Sequence, residues 1–301
     1  MYRFGRNLLG AAWCHVFWLV AAFVMFGVYA GGAMAQTCAA GSFATVGNTS
    51  IVPTNVIQLT PASNNQLGAA WSNNRIDLTL PFDYTANVKL GSNDVNGADG
   101  LTFVLQTSGT GAIGQPGRGI GAGSGLTGIT YADNGIKPSF IVEIDTYGNA
   151  DNGWNDPVAD HVAAYINGDP RHQANANNII SPVAIANIED GAFHPFRLVW
   201  DPTTNLLQIY LNGSLVTSTT YDLQAYFGTN LVYWGYTAST GGFNNLHQIC
   251  PLSALPDAPA DLVTVKTRTS AATLPEGAHV VELVDVTNNG PSIVSGVNLT
   301  D

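Results

Sequence analysis

Glu143 and Asp145 stand two residues apart in an apolar run, and a polar stretch with Tyr147, Asn149, Asp151, Asn155 and Asp156 follows before His161 opens the next apolar run. In a strand, successive side chains face opposite sides, so Phe140, Val142 and Ile144 point one way and Glu143 and Asp145 the other. The two carboxylates are then same-face neighbours, roughly 6–7 Å apart. Carboxylates that close repel unless something cationic sits between them. Carboxylates, an amide oxygen and a backbone carbonyl suit Ca²⁺, which takes six to eight hard oxygen ligands. Three carboxylates with one imidazole and waters suit an octahedral ion of the Mn²⁺ type. A loop of this composition is also compatible with a solvated acidic turn that binds nothing.

Positioning such a loop needs strands, and the composition supplies them. Only 10% of the residues are charged, against roughly 25% in ordinary soluble chains, which argues against a charge-laced helical bundle. The 33 glycines and 15 prolines point to many turns and an all-β architecture. Ile76, Leu78 and Leu80 alternate with polar neighbours, as do Leu101, Phe103 and Leu105, and both runs read as strands. Phe196, Leu198 and Trp200 form another, followed across a short turn by Leu207, Ile209 and Leu211. Asn212-Gly213 closes the next hairpin, because both residues tolerate the positive φ of a type I′ turn. About a dozen such strands between residues 41 and 255 suit one large β-sandwich. Ser253 to Ala260, rich in Pro and Ala, reads as a linker. Strand-like Leu262–Val265 and His279–Val286 come after it, in a segment too short for a whole immunoglobulin-like sandwich.

Charge and cysteines bound the setting. Ten basic residues against 21 acidic ones leave a net charge of −11, so the cationic surface that phosphate backbones require is lacking and a nucleic-acid partner is excluded as the leading idea. Arg3 and Arg6 precede an apolar run from Ala11 to Ala30 that ends at Ala33-Met34-Ala35, the pattern of a signal peptide spanning residues 1–35. Its alternative is an uncleaved anchor, since about twenty apolar residues can span a bilayer. Bulky Trp13 before Cys14 argues against a lipoprotein site. Once the signal peptide is removed, no membrane insertion is expected, and Cys38 and Cys250 remain in an oxidising compartment where a bridge between them would persist. The expected location is outside the cell, secreted or on a bacterial surface.

Three ordered motifs resemble the legume-type lectins, most closely their bacterial secreted branch. Glu143-Ile-Asp145-Thr-Tyr-Gly-Asn149, with Asp156-Pro157 and His161, resembles that family's metal-binding signature. Ala98-Asp99-Gly100 and the run to Leu105 resemble its "ADGLTFV" strand, and Tyr236 to Gly242 resembles its sugar-specificity loop. The resemblance covers about residues 41–252 and implies a concanavalin-like jelly-roll β-sandwich over residues 36–252. It implies a transition metal such as Mn²⁺ held by Glu143, Asp145, Asp156 and His161, and Ca²⁺ held by Asp145, the Tyr147 carbonyl, Asn149 and Asp156. It further implies a cis peptide at Ala98–Asp99. Asp99 and Asn149 would hydrogen-bond sugar hydroxyls, the Tyr147 ring would stack on the sugar, and the Gly242 backbone would line the rim. The implied function is calcium-dependent binding of glycans or glycoconjugates by an adhesin module.

The sequence departs from the family in two places. Six residues separate Asn149 from Asp156 where plant members usually have four, so Asp151 or Asn155 is a candidate replacement ligand. In the Gly114–Gly121 stretch Arg118 stands where a glycine N–H usually meets the sugar, so either Gly117 or Gly119 donates instead, with Gly119 the expected residue, or Arg118 meets the ligand itself. Residues 261–301 resemble the truncated opening of an immunoglobulin-like repeat of bacterial surface proteins, through Asp261–Thr267, Thr287–Ser292 and Gly296–Asp301.

Two other functions compete. A β-glucanase on the same sandwich carries Glu-x-Asp-x-x-Glu on one strand, with its two catalytic carboxyls ~5–5.5 Å apart. Here the second Glu is Gly148 and the chain has four Glu in all, so no enzyme is expected. The six histidines include no His-Glu-x-x-His pair, and no Gly-x-Ser-x-Gly elbow occurs. His172, His194 and His247 read as loop or satisfied strand residues rather than ligands, and Trp154 reads more readily as a buried loop anchor than as a sugar platform. A non-binding display module of a surface protein is the other alternative.

Overall fold

The structure, a computed structural model, describes residues 37–39, 41–127, 130–149, 154–173, 175–271, 273–290, 294 and 296–299. The expected signal peptide lies outside them, as does Asp151. Among the described residues no helix is long and apolar enough to cross a membrane.

Two large antiparallel sheets face each other, an all-β sandwich of jelly-roll type. The first runs in the order Phe43–Gly47, Leu67–Ser72, Leu231–Ser239, Gly100–Gln106, Ser139–Asp145, His161–Ile166 and Asn178–Ala184, with Ile76–Asp77 added on the Leu231–Ser239 strand. The second runs Ser214–Thr220, Leu206–Leu211, His194–Asp201, Phe82–Lys89, His247–Pro251, Val56–Thr60 and Ser50–Val52. The inner faces carry the alternate apolar residues the sequence pattern singles out: Leu101, Phe103 and Leu105 meet Phe196, Leu198 and Trp200 in one core with Phe140, Val142 and Ile144. Aromatic rings fill its centre, Tyr84 and Trp234 lying edge-on with centroids 5.3 Å apart. Such pairs add specific ring contacts to a large apolar burial.

The outer face of the first sheet is also covered. Ala122 and Ile136, on the long excursion between Gly100–Gln106 and Ser139–Asp145, pack on Trp71, Val104, Ile141 and Tyr165 in a second cluster. That cover is what buries the face on which Glu143 and Asp145 sit.

The Asn212-Gly213 turn forms as expected, with φ of 51° and 78°, between Leu206–Leu211 and Ser214–Thr220. The strand expected over Ile76 to Leu80 is shorter. Asp77 Oδ1 accepts hydrogen bonds from the Thr79 N–H and Oγ1 at 2.9 and 2.8 Å. A side chain that bonds its neighbouring backbone in this way competes with the ladder, and the chain turns so that Leu78 is buried while Leu80 is exposed.

The Ser253–Ala260 segment is no free spacer. Leu255 and Ala258 are buried, the Ala258 N–H donates to the Arg75 carbonyl at 2.8 Å, and Asp257 bridges Ile76. Beyond it, Leu262–Arg268 and Glu282–Asn288 pair as a separate two-stranded sheet, exposed along both strands. The second of these begins later than the expected His279. Cys38 and Cys250 are joined by a disulfide across a sequence separation of 212, so the first described segment is tied to the strand His247–Pro251.

Candidate metal and ligand site

Register gathers the site at one end of the first sheet. Gly100 pairs with both Asp145 and Ser239, and Asp145 also pairs with His161. The loops following Asp145 and Ser239, and the residues preceding Gly100 and His161, are therefore neighbours. Gly100 has a φ of +152°, and a Cβ there would lie 2.4 Å from the Ile144 carbonyl oxygen. Only glycine allows this approach, which brings Asp99 onto the loop after Asp145. The Ala98–Asp99 peptide is cis. The Asp99 carbonyl accepts from the Thr146 N–H at 3.0 Å, and its own N–H donates to the Ser239 carbonyl at 3.0 Å.

Glu143, Asp145, Asp156 and His161 converge, all buried. The donor atoms of Asp145, Asp156 and His161 lie within 4.8 Å of one another, and so do those of Glu143, His161 and His172. His161 Nε2 is 3.1 Å from Asp156 Oδ1 and 3.7 Å from Glu143 Oε1. Its other nitrogen, Nδ1, lies 3.1 Å from the Ala159 carbonyl. A carbonyl can only accept, so Nδ1 carries the hydrogen, and the lone pair of the neutral ring belongs to Nε2, facing the carboxylates. Glu143 Oε1, Asp156 Oδ1, His161 Nε2 and His172 Nε2 are buried facing one another, and Asn149 Oδ1 is buried without a hydrogen-bond partner among the described residues. Crowded buried carboxylates and an unpaired amide oxygen are costly unless something cationic satisfies them. The residues present therefore fit a divalent cation.

Electrostatics say the same. Burial opposes the charged form of His161, but hydrogen bonds to Asp156 and Glu143 and the nearby charge of Asp145 outweigh it and lift the ring to about 11. Burial likewise opposes charge on His172, and Glu143 and Asp156 overcome it, lifting that ring to about 10. Burial pushes Asp145 well above the usual carboxylate range, and the charge of Asp156 pushes it further. Glu143 and Asp156 are held low by the two histidines in spite of their burial. Three crowded carboxylates thus draw in positive charge from protons where no ion supplies it.

The loop folds back on this centre. The Tyr147 N–H donates to Asp145 Oδ1 at 2.7 Å and the Asn149 N–H to Asp156 Oδ2 at 2.8 Å. Asn155 is exposed, in the left-handed region at φ 52°, so Asp156 rather than Asn155 takes the inward position.

Beside the loop lies a cleft of about 440 Å³ walled by Ala98, Asp99, Gly117, Arg118, Tyr147, Gly148, Asn149, Gly241, Gly242 and Phe243. Asp99 is 4% exposed, and its Oδ2 has no hydrogen-bond partner among the described residues. Burial lifts its carboxyl to about 7, with Arg118 pulling it down and Asp156 pushing it up. The Tyr147 and Phe243 rings lie 5.6 Å apart at the rim.

Of the residues expected at a sugar, Asp99, Tyr147, Asn149 and Gly242 come together here, and Gly119 does not. Its carbonyl accepts from the Ala122 and Gly123 N–H groups at 3.0 and 2.6 Å, which turns this buried residue into the loop interior. Gly117 and Arg118 form the wall instead. Arg118 also lies over the Trp154 ring, 4.8 Å from its centroid, and Trp154 is a buried anchor at 1% exposure. The sequence reading misses Phe243 and takes His172 for a loop residue with no ligand role, whereas its Nε2 stands 2.9 Å from Glu143 Oε1. Phe243 directly follows the Gly-Gly pair and could have been read as a rim aromatic. His172 lies in a loop and carries no local signal.

A family model described as the legume lectin β-barrel domain matches residues 34–253. The "Serine-rich adhesin for platelets" of Staphylococcus aureus strain MRSA252 is 25% identical over 221 residues, which is 65% of this chain and 15% of the adhesin. A second adhesin of that name from S. aureus is 26% identical over 214 residues, or 65% of this chain and 9% of its own length. The chain thus spans only a small part of these curated relatives. Among solved structures, the Bauhinia forficata lectin in complex with GalNAc superposes with a TM-score of 0.56 at 17% identity, covering 71% of this chain and 91% of that one. Lectin II from Ulex europaeus gives 0.56 at 21% identity, covering 71% and 92%.

Proposed function

This chain belongs to the legume lectin β-barrel domain family, and on that premise we propose that it is the glycan-binding module of a secreted or cell-surface adhesin, with Ca²⁺ required for binding. The observation that carries the reading is the cleft itself. Asp99 Oδ2, a buried acceptor without a partner among the described residues, stands in a polar recess that Asn149 also lines and the Tyr147 and Phe243 rings border.

Each residue has a role that follows from its chemistry. The Asp99 carboxylate accepts hydrogen bonds from two sugar hydroxyls, and charge-assisted bonds are roughly twice as strong as neutral ones. The Asn149 amide donates to a hydroxyl through Nδ2 while its Oδ1 turns to the ion. Tyr147 offers a flat apolar face to the C–H side of a sugar ring, and the backbone at Gly242 leaves room at the rim. Asp145, the Tyr147 carbonyl, Asn149 and Asp156 hold Ca²⁺, and Glu143, Asp145, Asp156 and His161 hold a second ion of Mn²⁺ type. When bound, these ions neutralise the buried carboxylates and hold the loop after Asp145 in one geometry. The solved Bauhinia complex with GalNAc supports a glycan partner on this fold. The two-stranded tail resembles part of an immunoglobulin-like surface-protein repeat, which supports a surface location.

A glycan array probed in calcium and again in excess chelator tests the proposal. Binding to at least one glycan class in calcium, lost in chelator, is the expected result. No glycan bound in either condition leaves the display-module reading in its place.

A further inference from the structure

We propose that His172 is a further ligand of the transition-metal position, so that a second imidazole joins Glu143, Asp145, Asp156 and His161 there and the site takes an imidazole-preferring ion such as Zn²⁺ rather than Mn²⁺. This rests on the metal reading of the cluster around Glu143, and it adds a residue to that reading.

Four donor atoms form a closed ring of short separations. His172 Nε2 lies 2.9 Å from Glu143 Oε1 and 3.3 Å from Asp156 Oδ1. His161 Nε2 lies 3.1 Å from that same Asp156 oxygen and 3.7 Å from that same Glu143 oxygen. Bonds of ~2.0–2.2 Å place neighbouring donors about 3.0 Å apart on an octahedron and about 3.4 Å apart on a tetrahedron. The observed edges span those values. The imidazoles meet edge to face at 86°, with centroids 5.2 Å apart, so each ring turns its own nitrogen toward the shared oxygens without stacking on the other.

The backbone that carries His172 is held in place. The side chain is 4% exposed. The His172 N–H donates to the Trp154 carbonyl at 2.8 Å, and its carbonyl accepts from Asn178 Nδ2 at 3.1 Å. Backbone fixed before the ion arrives presents the ring to the site with little reorganisation. Imidazole suits Zn²⁺, Ni²⁺ and Cu²⁺, whereas carboxylate, carbonyl and water suit Mn²⁺ and Ca²⁺. A second imidazole at this position therefore moves preference toward the former group.

The test uses the whole chain, stripped with chelator and returned to calcium, and titrated by calorimetry with ZnCl₂ and, separately, with MnCl₂. Most nitrogen and oxygen sites favour Zn²⁺ over Mn²⁺ to some degree, so the diagnostic quantity is what His172→Ala does to each ion. Zn²⁺ affinity should fall by about a hundredfold, since losing even an outer partner of a ligand costs roughly 10–100-fold, and Mn²⁺ affinity should fall by much less. Cobalt-loaded protein should show a visible absorption spectrum that changes in His172→Ala. An unchanged calcium-dependent melting temperature confirms that the variant is folded, and His172→Gln serves in its place should the alanine variant fail that check. If His172→Ala binds Zn²⁺ as tightly as the parent with the same cobalt spectrum, while His161→Ala loses both ions, the inference is wrong and the metal reading stands. If the parent binds neither Zn²⁺ nor Mn²⁺, the quartet is a pair of buried ion pairs, and the metal reading at this position fails together with the inference.

Discussion

The backbone N–H of Asn149 donates to Asp156 Oδ2 at 2.8 Å, so the same loop closure that places Asp156 among the buried carboxylates also sets the Asn149 amide against the cleft. In the proposed function, metal and sugar share this one piece of backbone. Calcium should therefore be needed for folding stability and for glycan binding alike. Ions that bind only the folded state stabilise it by mass action, about 2.7 kcal/mol at a hundredfold excess over Kd. Differential scanning calorimetry in calcium and in EDTA should show a lower melting temperature in EDTA that is restored by added calcium. Superimposable melting curves would count against the calcium site.

Asp99 and Asn149 should separate the two functions. Asp99→Ala removes an unpartnered carboxylate but keeps the backbone hydrogen bonds to Thr146 and Ser239. Loss of two charge-assisted bonds should cost about 3 kcal/mol, over a hundredfold in sugar affinity. Calcium binding and melting temperature should change little. Asn149→Ala should weaken both sugar and calcium, because in the proposed site its amide serves both. Isothermal titration of each variant with calcium and with the best glycan from the array checks the pattern, and an Asp99→Ala protein that binds the glycan like its parent rules the assignment out.

The Cys38–Cys250 bridge closes a loop with a sequence separation of 212. Chain-entropy reasoning assigns such a bridge on the order of 5 kcal/mol, through the unfolded state. Urea titration with and without reductant should show a markedly lower midpoint once the bond is reduced, and non-reducing peptide mapping should recover the linked pair. Two freely alkylatable thiols in the native protein would contradict the bridge.

His247 provides an acid-sensitive element away from the metal centre. It is buried with Nδ1 2.7 Å from Thr60 Oγ1 and no hydrogen-bond partner for Nε2 among the described residues. Burial drops its pKa to about 3. The unfolded chain, with an ordinary histidine near 6.5, then binds more protons than the folded one between those limits. Stability from this group is full above pH ~6.5 and declines as pH falls toward ~3. His247→Gln should flatten that part of the stability–pH curve. Equal acid slopes in chemical denaturation of parent and variant would dismiss this role for His247.

Local chemistry made much of the protein legible in its sequence. Period-two alternation marked Gly100–Gln106 and Ser139–Asp145, the Asn212-Gly213 pair marked its hairpin, and the run from Glu143 to His161 marked the buried acidic centre. These signals need only neighbours along the chain. The tertiary structure decided whatever depends on which strands become neighbours. Register alone brings Asp99 and the Gly241-Gly242 turn to the loop after Asp145, because Gly100 pairs with both Asp145 and Ser239. It also made Gly117 and Arg118 a cleft wall in place of Gly119, and packed Leu255 and Ala258 onto the sandwich where the sequence suggested a spacer. His172 is the sharpest case. Nothing beside it in the chain distinguishes it from His194, yet the loop that carries it is held by Trp154 and Asn178 and ends with its ring 2.9 Å from Glu143. A residue's type limits what it can bind, and only the non-local packing of the backbone decides which groups it meets.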